Sequence, residues 1–175
     1  MRVIAGEFRS RVLKSLPGFD VRPTPDRLRE ALFNVLAPKI EGVVFADVYA
    51  GTGAVGIEAL SRGASKVIFV EQNRTAAEVI RENLKSLGVE ARATLRHTRA
   101  SVALAQIEAD IVFLDPPYRL EQEYERSLEL LAEKPPGLVI AQHASRQMLA
   151  ERYGSLQRVR ILKQGDNSLT FFKVK

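Results

Sequence analysis

The chain has 175 residues, 46% of them hydrophobic, and a formal net charge of +5. That is enough for one domain with a sizeable core, so disordered and fibrous classes are excluded, while the basic balance suits a polyanionic partner. The absence of cysteine excludes disulfides and thiolate metal sites. It fits a reducing cytoplasm, and no apolar stretch reaches the ~18 residues of a membrane span.

The first 23 residues differ from the rest. Arg2 to Phe8 and Arg11 to Leu13 read as short strands around a polar turn. Arg2, Arg9, Arg11, Lys14 and Arg22 make the stretch locally basic against Glu7 and Asp20. Residues 1–23 are therefore expected to form a basic β-hairpin extension, and residues 24–175 the main domain. Thr24 reads as an N-cap with Pro25 at the first helical position. The helix that follows carries Leu28, Ala31, Leu32, Val35 and Leu36 on one face, and Pro38 marks its end.

Beyond position 40, apolar strand-like runs alternate with amphipathic helices. The runs are Val43 to Ala46, Lys66 to Val70, Ala93 to Leu95, Ile111 to Leu114 and Leu138 to Ala141. Helical patterns cover Val55 to Arg62, Thr75 to Leu87, Ser101 to Ile107 and Glu121 to Glu133. Strict alternation implies a parallel sheet covered on both faces. The chain then changes character. Val159 to Leu162 and Leu169 to Phe172 flank Gly165-Asp166-Asn167-Ser168, which reads as a hairpin turn. The expected fold is α/β: a Rossmann-like, doubly wound, mostly parallel seven-stranded sheet closed by an antiparallel hairpin. Phe171 and Phe172 are expected in its core and edge.

Two motifs carry chemistry. Gly51, Gly53 and Gly56 fit G-x-G-x-x-G between a strand and a helix, and Glu71 stands roughly twenty positions on, at the end of the next strand. This spacing suits a nucleoside-containing cofactor whose ribose the carboxylate meets. Asp47 precedes the glycines, where it would repel a pyrophosphate but could meet the α-ammonium of S-adenosylmethionine (SAM). Tyr49, Ala50 and Gln72 flank these elements and complete the expected cofactor contacts. The second motif is Asp115-Pro116-Pro117-Tyr118, directly after an apolar strand. Two prolines stiffen the loop and remove two donors. Asp115 and the Pro116 carbonyl can then accept both N–H groups of a base's exocyclic amine while Tyr118 stacks on its ring. The alternative is a Pro-Pro turn that merely ends a strand.

The chain resembles the class I SAM-dependent methyltransferases, and more narrowly the RsmD-type 16S rRNA guanine-N2 methyltransferases. The resemblance runs through Arg2 to Gly6, Arg22-Pro23-Thr24 with Asp26-Arg27 and Arg29-Glu30, Gly51 to Gly56, Glu58 to Ala64, Asp115 to Tyr118 and Gly165-Asp166. It implies SAM as methyl donor, S-adenosylhomocysteine as product and a guanine of 16S rRNA, within a small ribosomal subunit, as acceptor. Asp115, Pro116 and Tyr118 would be catalytic. Thr24, Asp26, Arg27 and Arg29 would cover the cofactor, or belong to a solvated helix face. Similar enzymes often carry an acidic residue after the third strand, toward the adenine amino group. Here the segment reads His97-Thr98-Arg99-Ala100, which leaves that contact to backbone near Ala100 or to Ser101. The basic extension would contact RNA backbone, or serve only as a sheet edge.

The two histidines, His97 and His143, have no cysteine or carboxylate cluster at metal-ligand spacing, so no metal is expected. A monomer is expected, since no heptads or exposed apolar stripe appear. Two rival readings use the same motifs: a DNA adenine-N6 or cytosine-N4 methyltransferase, and a nicotinamide-dependent oxidoreductase.

Overall fold

The computed structural model describes residues 1–16, 24–117 and 119–175. The chain enters through α1 (Asp26–Leu36) and then alternates β1 (Val44–Val48), α2 (Ala54–Ser61), β2 (Lys66–Val70), α3 (Arg74–Leu87), β3 (Ala93–Arg96), α4 (Ala100–Leu104), β4 (Ile111–Leu114), α5 (Gln122–Glu133) and β5 (Leu138–Ala144). It finishes with β6 (Arg152–Tyr153), β7 (Leu156–Gln164) and β8 (Asn167–Val174). One sheet contains all eight strands in the order β3-β2-β1-β4-β5-β8-β7-β6. The first five are parallel, and β8, β7 and β6 are antiparallel.

The expected count of seven strands is therefore one short. The extra strand is β6, two residues that fold back onto Leu156 and Gln157. A two-residue strand carries no period-2 signal, so the pattern alone does not show it. The first strand also lies later than expected: it runs to Val48, and Asp47 sits inside it with 1% of its surface exposed.

The sheet is buried on both faces, as a parallel sheet must be. Leu32 and Phe33 of α1, Ile57 and Leu60 of α2, and Ile80 and Leu84 of α3 pack one face against Phe45 and Phe113. Leu104 of α4 with Tyr124 and Leu128 of α5 pack the other against Val48, Val112 and Phe172. Phe171 and Phe172 are both buried, on opposite faces.

One expectation near the N-terminus changes. Thr24 does not cap α1. Pro25 occupies that position in an extended conformation, and the Thr24 hydroxyl donates instead to Gln142 Oε1 at 3.3 Å. The basic N-terminal stretch pairs as a short hairpin: Arg2 and Val12 form an antiparallel bridge, Val3 N–H donates to the Arg11 carbonyl at 3.0 Å, Leu13 N–H to the Met1 carbonyl at 2.7 Å and Ser10 N–H to the Val3 carbonyl at 2.9 Å. Further backbone donors are satisfied by α2. Ile4 and Ala5 N–H groups donate to the Glu58 carboxylate at 2.9 and 3.1 Å. Phe8 N–H donates to Ser61 Oγ at 2.9 Å. Val3, Phe8 and Leu13 belong to the same core cluster as α1, α2 and α3.

Candidate active site

Both motifs stand at the carboxyl edge of the parallel strands, on either side of the point where strand order reverses. β1 pairs with β2 on one side and with β4 on the other, with Val48 opposite Leu114. Asp115 N–H donates to the Val48 carbonyl at 3.3 Å. The glycine loop and the Asp115 loop thus leave the sheet as neighbours, where open α/β sheets bind ligands.

The glycine loop is shaped by its backbone. Gly53 sits at φ +83°, in the left-handed region, and leads into α2. Gly56 is needed for packing: a Cβ there would lie 2.3 Å from a Phe69 ring carbon and 2.9 Å from Val67 Cγ1. Gly51 N–H donates to Glu71 Oε1 at 2.8 Å, and Asn73 N–H to Glu71 Oε2 at 2.8 Å. Each carboxylate oxygen keeps a free lone pair, so this pair of acceptors suits the hydroxyls of a ribose diol. Ala50 N–H donates to the Val70 carbonyl at 3.0 Å, which holds the loop beside the end of β2.

Asp47 accepts from Gly56 N–H at 2.9 Å, which makes it a helix cap as well as a candidate ammonium ligand. Burial holds its carboxyl well above the usual carboxylate range, the Gly56 bond opposes this, and the charges of Asp115 and Glu71 add to it. Burial also pushes Asp115 up to about 7. Pro116 is buried beside it and Pro117 is exposed. Tyr118 and Arg22 lie outside the described residues.

Sequence reasoning gave no sign of what the Tyr49 side chain does. Its backbone is in the left-handed region, φ +64°, which is costly for a bulky residue and typical of functional loops. Its hydroxyl donates to Glu123 Oε2 at 3.0 Å and meets Ser127 Oγ at 2.8 Å. The glycine loop is thereby tied to α5, the helix that follows the Asp115 loop. Burial raises the phenol further above its ordinary range.

The remaining candidates divide. Gln72 is exposed, and its carbonyl meets His97 Nε2 at 3.0 Å. Ala100 is buried at the start of α4. Thr24 is buried and Arg27 exposed. Arg29, expected on a solvated or cofactor-covering face, is fully buried and donates to the Arg2 carbonyl at 2.7 Å. His143 is buried between its neighbours, with Nε2 2.7 Å from Thr170 Oγ1, and burial lowers its pKa. Among the described residues no cluster of three or more His, Cys, Asp or Glu could hold a metal ion.

The basic N-terminal residues are partly engaged. Arg2 donates to the Ser10 carbonyl at 2.8 Å and Arg11 to the Ser86 carbonyl at 2.9 Å. Lys14 pairs with Glu82, and Arg9 is exposed. A separate hollow of about 450 Å³ at the opposite edge, lined by Val44, Ile107, Glu108 and Lys134 among others, contains none of these residues.

Comparison with known proteins agrees with this geometry. The chain matches the family described as Conserved hypothetical protein 95 over residues 1–173. It is 38% identical over 148 residues to Ribosomal RNA small subunit methyltransferase D of Haemophilus influenzae (strain ATCC 51907 / DSM 11121 / KW20 / Rd), covering 79% of this chain and 76% of that one. The chain belongs to the RsmD-type methyltransferase family. YlbH of Bacillus subtilis (strain 168), named only as a candidate rRNA methyltransferase, is 36% identical over 182 residues, 99% of this chain and 98% of its own. The Escherichia coli structure yhhF, described as a candidate methyltransferase, superposes with a TM-score of 0.86 at 32% identity, covering 100% of this chain and 98% of that one.

Proposed function

We infer that this protein transfers a methyl group from SAM to the exocyclic N2 amine of a guanine in 16S rRNA. The observation that carries the cofactor is the charge at the sheet edge. Asp47, Glu71 and Asp115 lie close enough that the latter two raise the pKa of the first. A pyrophosphate would add negative charge to that edge. A ligand with a sulfonium and an ammonium relieves it. This disfavours a nicotinamide dinucleotide.

Glu71 would accept from the ribose hydroxyls. Asp47 and the backbone of Tyr49, Ala50, Gly51 and Gly53 would line the methionine end, and Gln72 and Ala100 the adenine side. Thr24 and Arg27 would stand over the opening. Bound there, SAM supplies an electrophilic methyl group. The protein's own contribution is to aim the acceptor. The guanine amine's lone pair is delocalised into the ring and is a weak nucleophile. Asp115 and the Pro116 carbonyl accept its two N–H groups, turn the lone pair toward the donor and stabilise positive charge growing on nitrogen. Tyr118 would stack on the base once it leaves its loop. The product ammonium is acidic and loses its proton after transfer, so Asp115 need not deprotonate the amine first.

On this reading the protein works in the cytoplasm, on an assembling or assembled small subunit, and as a monomer. No helix among the described residues is long and apolar enough to cross a membrane. Arg2, Arg9, Arg11, Lys14 and Arg22 are the N-terminal RNA-contact candidates. Lys14 contributes least, because Glu82 neutralises it.

The deciding experiment supplies labelled SAM with small subunits lacking their native modifications, and with naked 16S rRNA and duplex DNA in parallel. N2-methylguanosine in the rRNA is the expected product, identified by mass spectrometry. Methylated adenine or cytosine in DNA would overturn the acceptor and keep the cofactor.

A further inference from the structure

Lys14 of the N-terminal segment is held by Asn83, whose amide also donates to the Thr52 carbonyl of the glycine loop at 3.2 Å, but the stretch that carries Arg2, Arg9 and Arg11 lies away from the reacting edge. It is held by Glu58 and Ser61 toward the end of α2, and Arg11 reaches Ser86 near the end of α3. Both helices start at the carboxyl edge and run away from it. At 1.5 Å per residue, Ser61 lies roughly 10 Å and Ser86 roughly 18 Å down their helices. A guanine held at Asp115 brings its own two phosphates to the edge, and that stretch cannot meet those.

Other cations stand on the edge itself. Arg119 follows the Asp115 loop, in the turn where Leu120 N–H donates to the Pro117 carbonyl at 2.8 Å. Arg146 lies two residues beyond the end of β5, the strand beside β4. Lys163 is near the end of β7, paired across the hairpin with Ser168. These last two belong to one locality: Ser145 Oγ meets Ser168 Oγ at 2.9 Å and donates to the Gly165 carbonyl at 2.9 Å, and Ser145 N–H donates to the Asp166 carbonyl at 2.8 Å. Arg119, Arg146 and Lys163 are all exposed. Among the described residues none of the three is in an ion pair or donates a side-chain hydrogen bond. Leu120, 41% exposed, is an apolar residue next to Arg119, just after the catalytic loop.

We propose that Arg119, Arg146 and Lys163 hold the RNA phosphates flanking the target guanine, with Leu120 against a neighbouring base. Arg2, Arg9 and Arg11 reach only phosphates further along the RNA. The assignment rests on the rRNA reading above. Charge complementarity selects the partner, since three free cations beside a base-methylating loop match a strand whose phosphates pass on both sides of the target. Acidic protein would meet the same cations, but it offers Leu120 no base to cover.

The test compares two charge-reversed enzymes, Arg146→Glu with Lys163→Glu, and Arg9→Glu with Arg11→Glu. Each is assayed on unmodified small subunits over a range of salt. SAM binding, read by calorimetry, reports folding independently of RNA. The first enzyme is expected to keep wild-type SAM affinity, raise KM for subunits at least tenfold and lower the salt slope by about two, one for each cation removed. Its KM should rise more than that of the second. A KM and slope equal to wild type in the first enzyme would overturn the proposal, as would a larger effect in the second. If the first enzyme loses SAM affinity, Arg146→Gln with Lys163→Gln, which removes charge without reversing it, is judged by the same two criteria. Failure of the rRNA reading would look different: wild-type enzyme would not methylate the subunits at all.

Discussion

At the scale of the residue, Asp115 has two properties that pull against each other. Accepting an N–H from the amine requires the carboxylate, yet burial pushes its pKa up to about 7 from 3.8. Native protein therefore retains a proton that the unfolded chain has already released. This group's contribution to stability is complete below pH 3.8 and falls as pH rises toward 7. Activity runs the other way. The value of kcat/KM should climb through about pH 7, because that ratio reports the free enzyme. The cationic cofactor lowers the pKa of a nearby carboxyl, so the corresponding limb in kcat should lie at lower pH. A pH-rate profile tests both, and Asp115→Asn should remove the limb together with most of the turnover. Asp115→Ala should abolish turnover while SAM binding survives in calorimetry. Near-normal turnover in that variant would remove Asp115 from the mechanism.

At the scale of the element, α2 couples the cofactor loop to the rest of the protein. Its start is fixed by the Asp47 bond to Gly56, and Gly56 lets Phe69 of β2 lie against the helix. Gly56→Ala forces a Cβ against that ring, and overpacking of this kind costs about 1–3 kcal/mol. The helix should shift, so SAM affinity is expected to fall at least tenfold along with the melting temperature. Gly88→Ala is the control. That glycine ends α3 at φ +68° with open space around it, so the change should cost about 1–2 kcal/mol of stability and leave SAM affinity alone. Elements of this kind were legible in sequence. Apolar runs placed β2 and β4, and the glycine spacing placed Glu71 beside Gly51. What pattern could not reveal was the destination of individual polar groups. The Thr24 hydroxyl goes to Gln142, and the Tyr49 hydroxyl to Glu123 and Ser127. These partners lie far away in sequence, and periodicity carries no information about them. One signal was available: Glu58, inside the otherwise apolar run Val55 to Leu60, needed buried partners.

At the scale of the whole molecule, those partners decide whether the N-terminal segment is an appendage. Glu58 is fully buried. It accepts from Ile4 and Ala5 N–H groups and from Arg62 Nε at 2.9 Å. Arg29 is equally buried but less well matched. Its Nε stands 3.9 Å from Glu58 Oε1, and neither Nε nor Nη1 has a hydrogen-bond partner. The two ends of this cluster should therefore respond differently to substitution. Removing Glu58 leaves two backbone donors and the Arg62 guanidinium without their acceptor and takes away the buried counter-charge of Arg29, which for a buried pair costs about 3–5 kcal/mol. Replacing Arg29 by methionine removes a charge whose only hydrogen-bonded carboxylate among the described residues is the exposed Asp26 and keeps much of its volume, so the loss should be smaller even though the bonds to the Arg2 carbonyl and to Asp26 Oδ1 are lost. Denaturant unfolding of Glu58→Ala and Arg29→Met measures the order directly, and the reverse order would show that Arg29, not Glu58, anchors the segment. Wild-type protein should unfold in one transition, with the amides of Ile4 and Ala5 exchanging as slowly as those of α2. Val3, Phe8 and Leu13 share the core of α1, α2 and α3, so the segment cannot leave without exposing that core. An earlier separate transition, with fast exchange confined to residues 1–13, would instead show an independent extension.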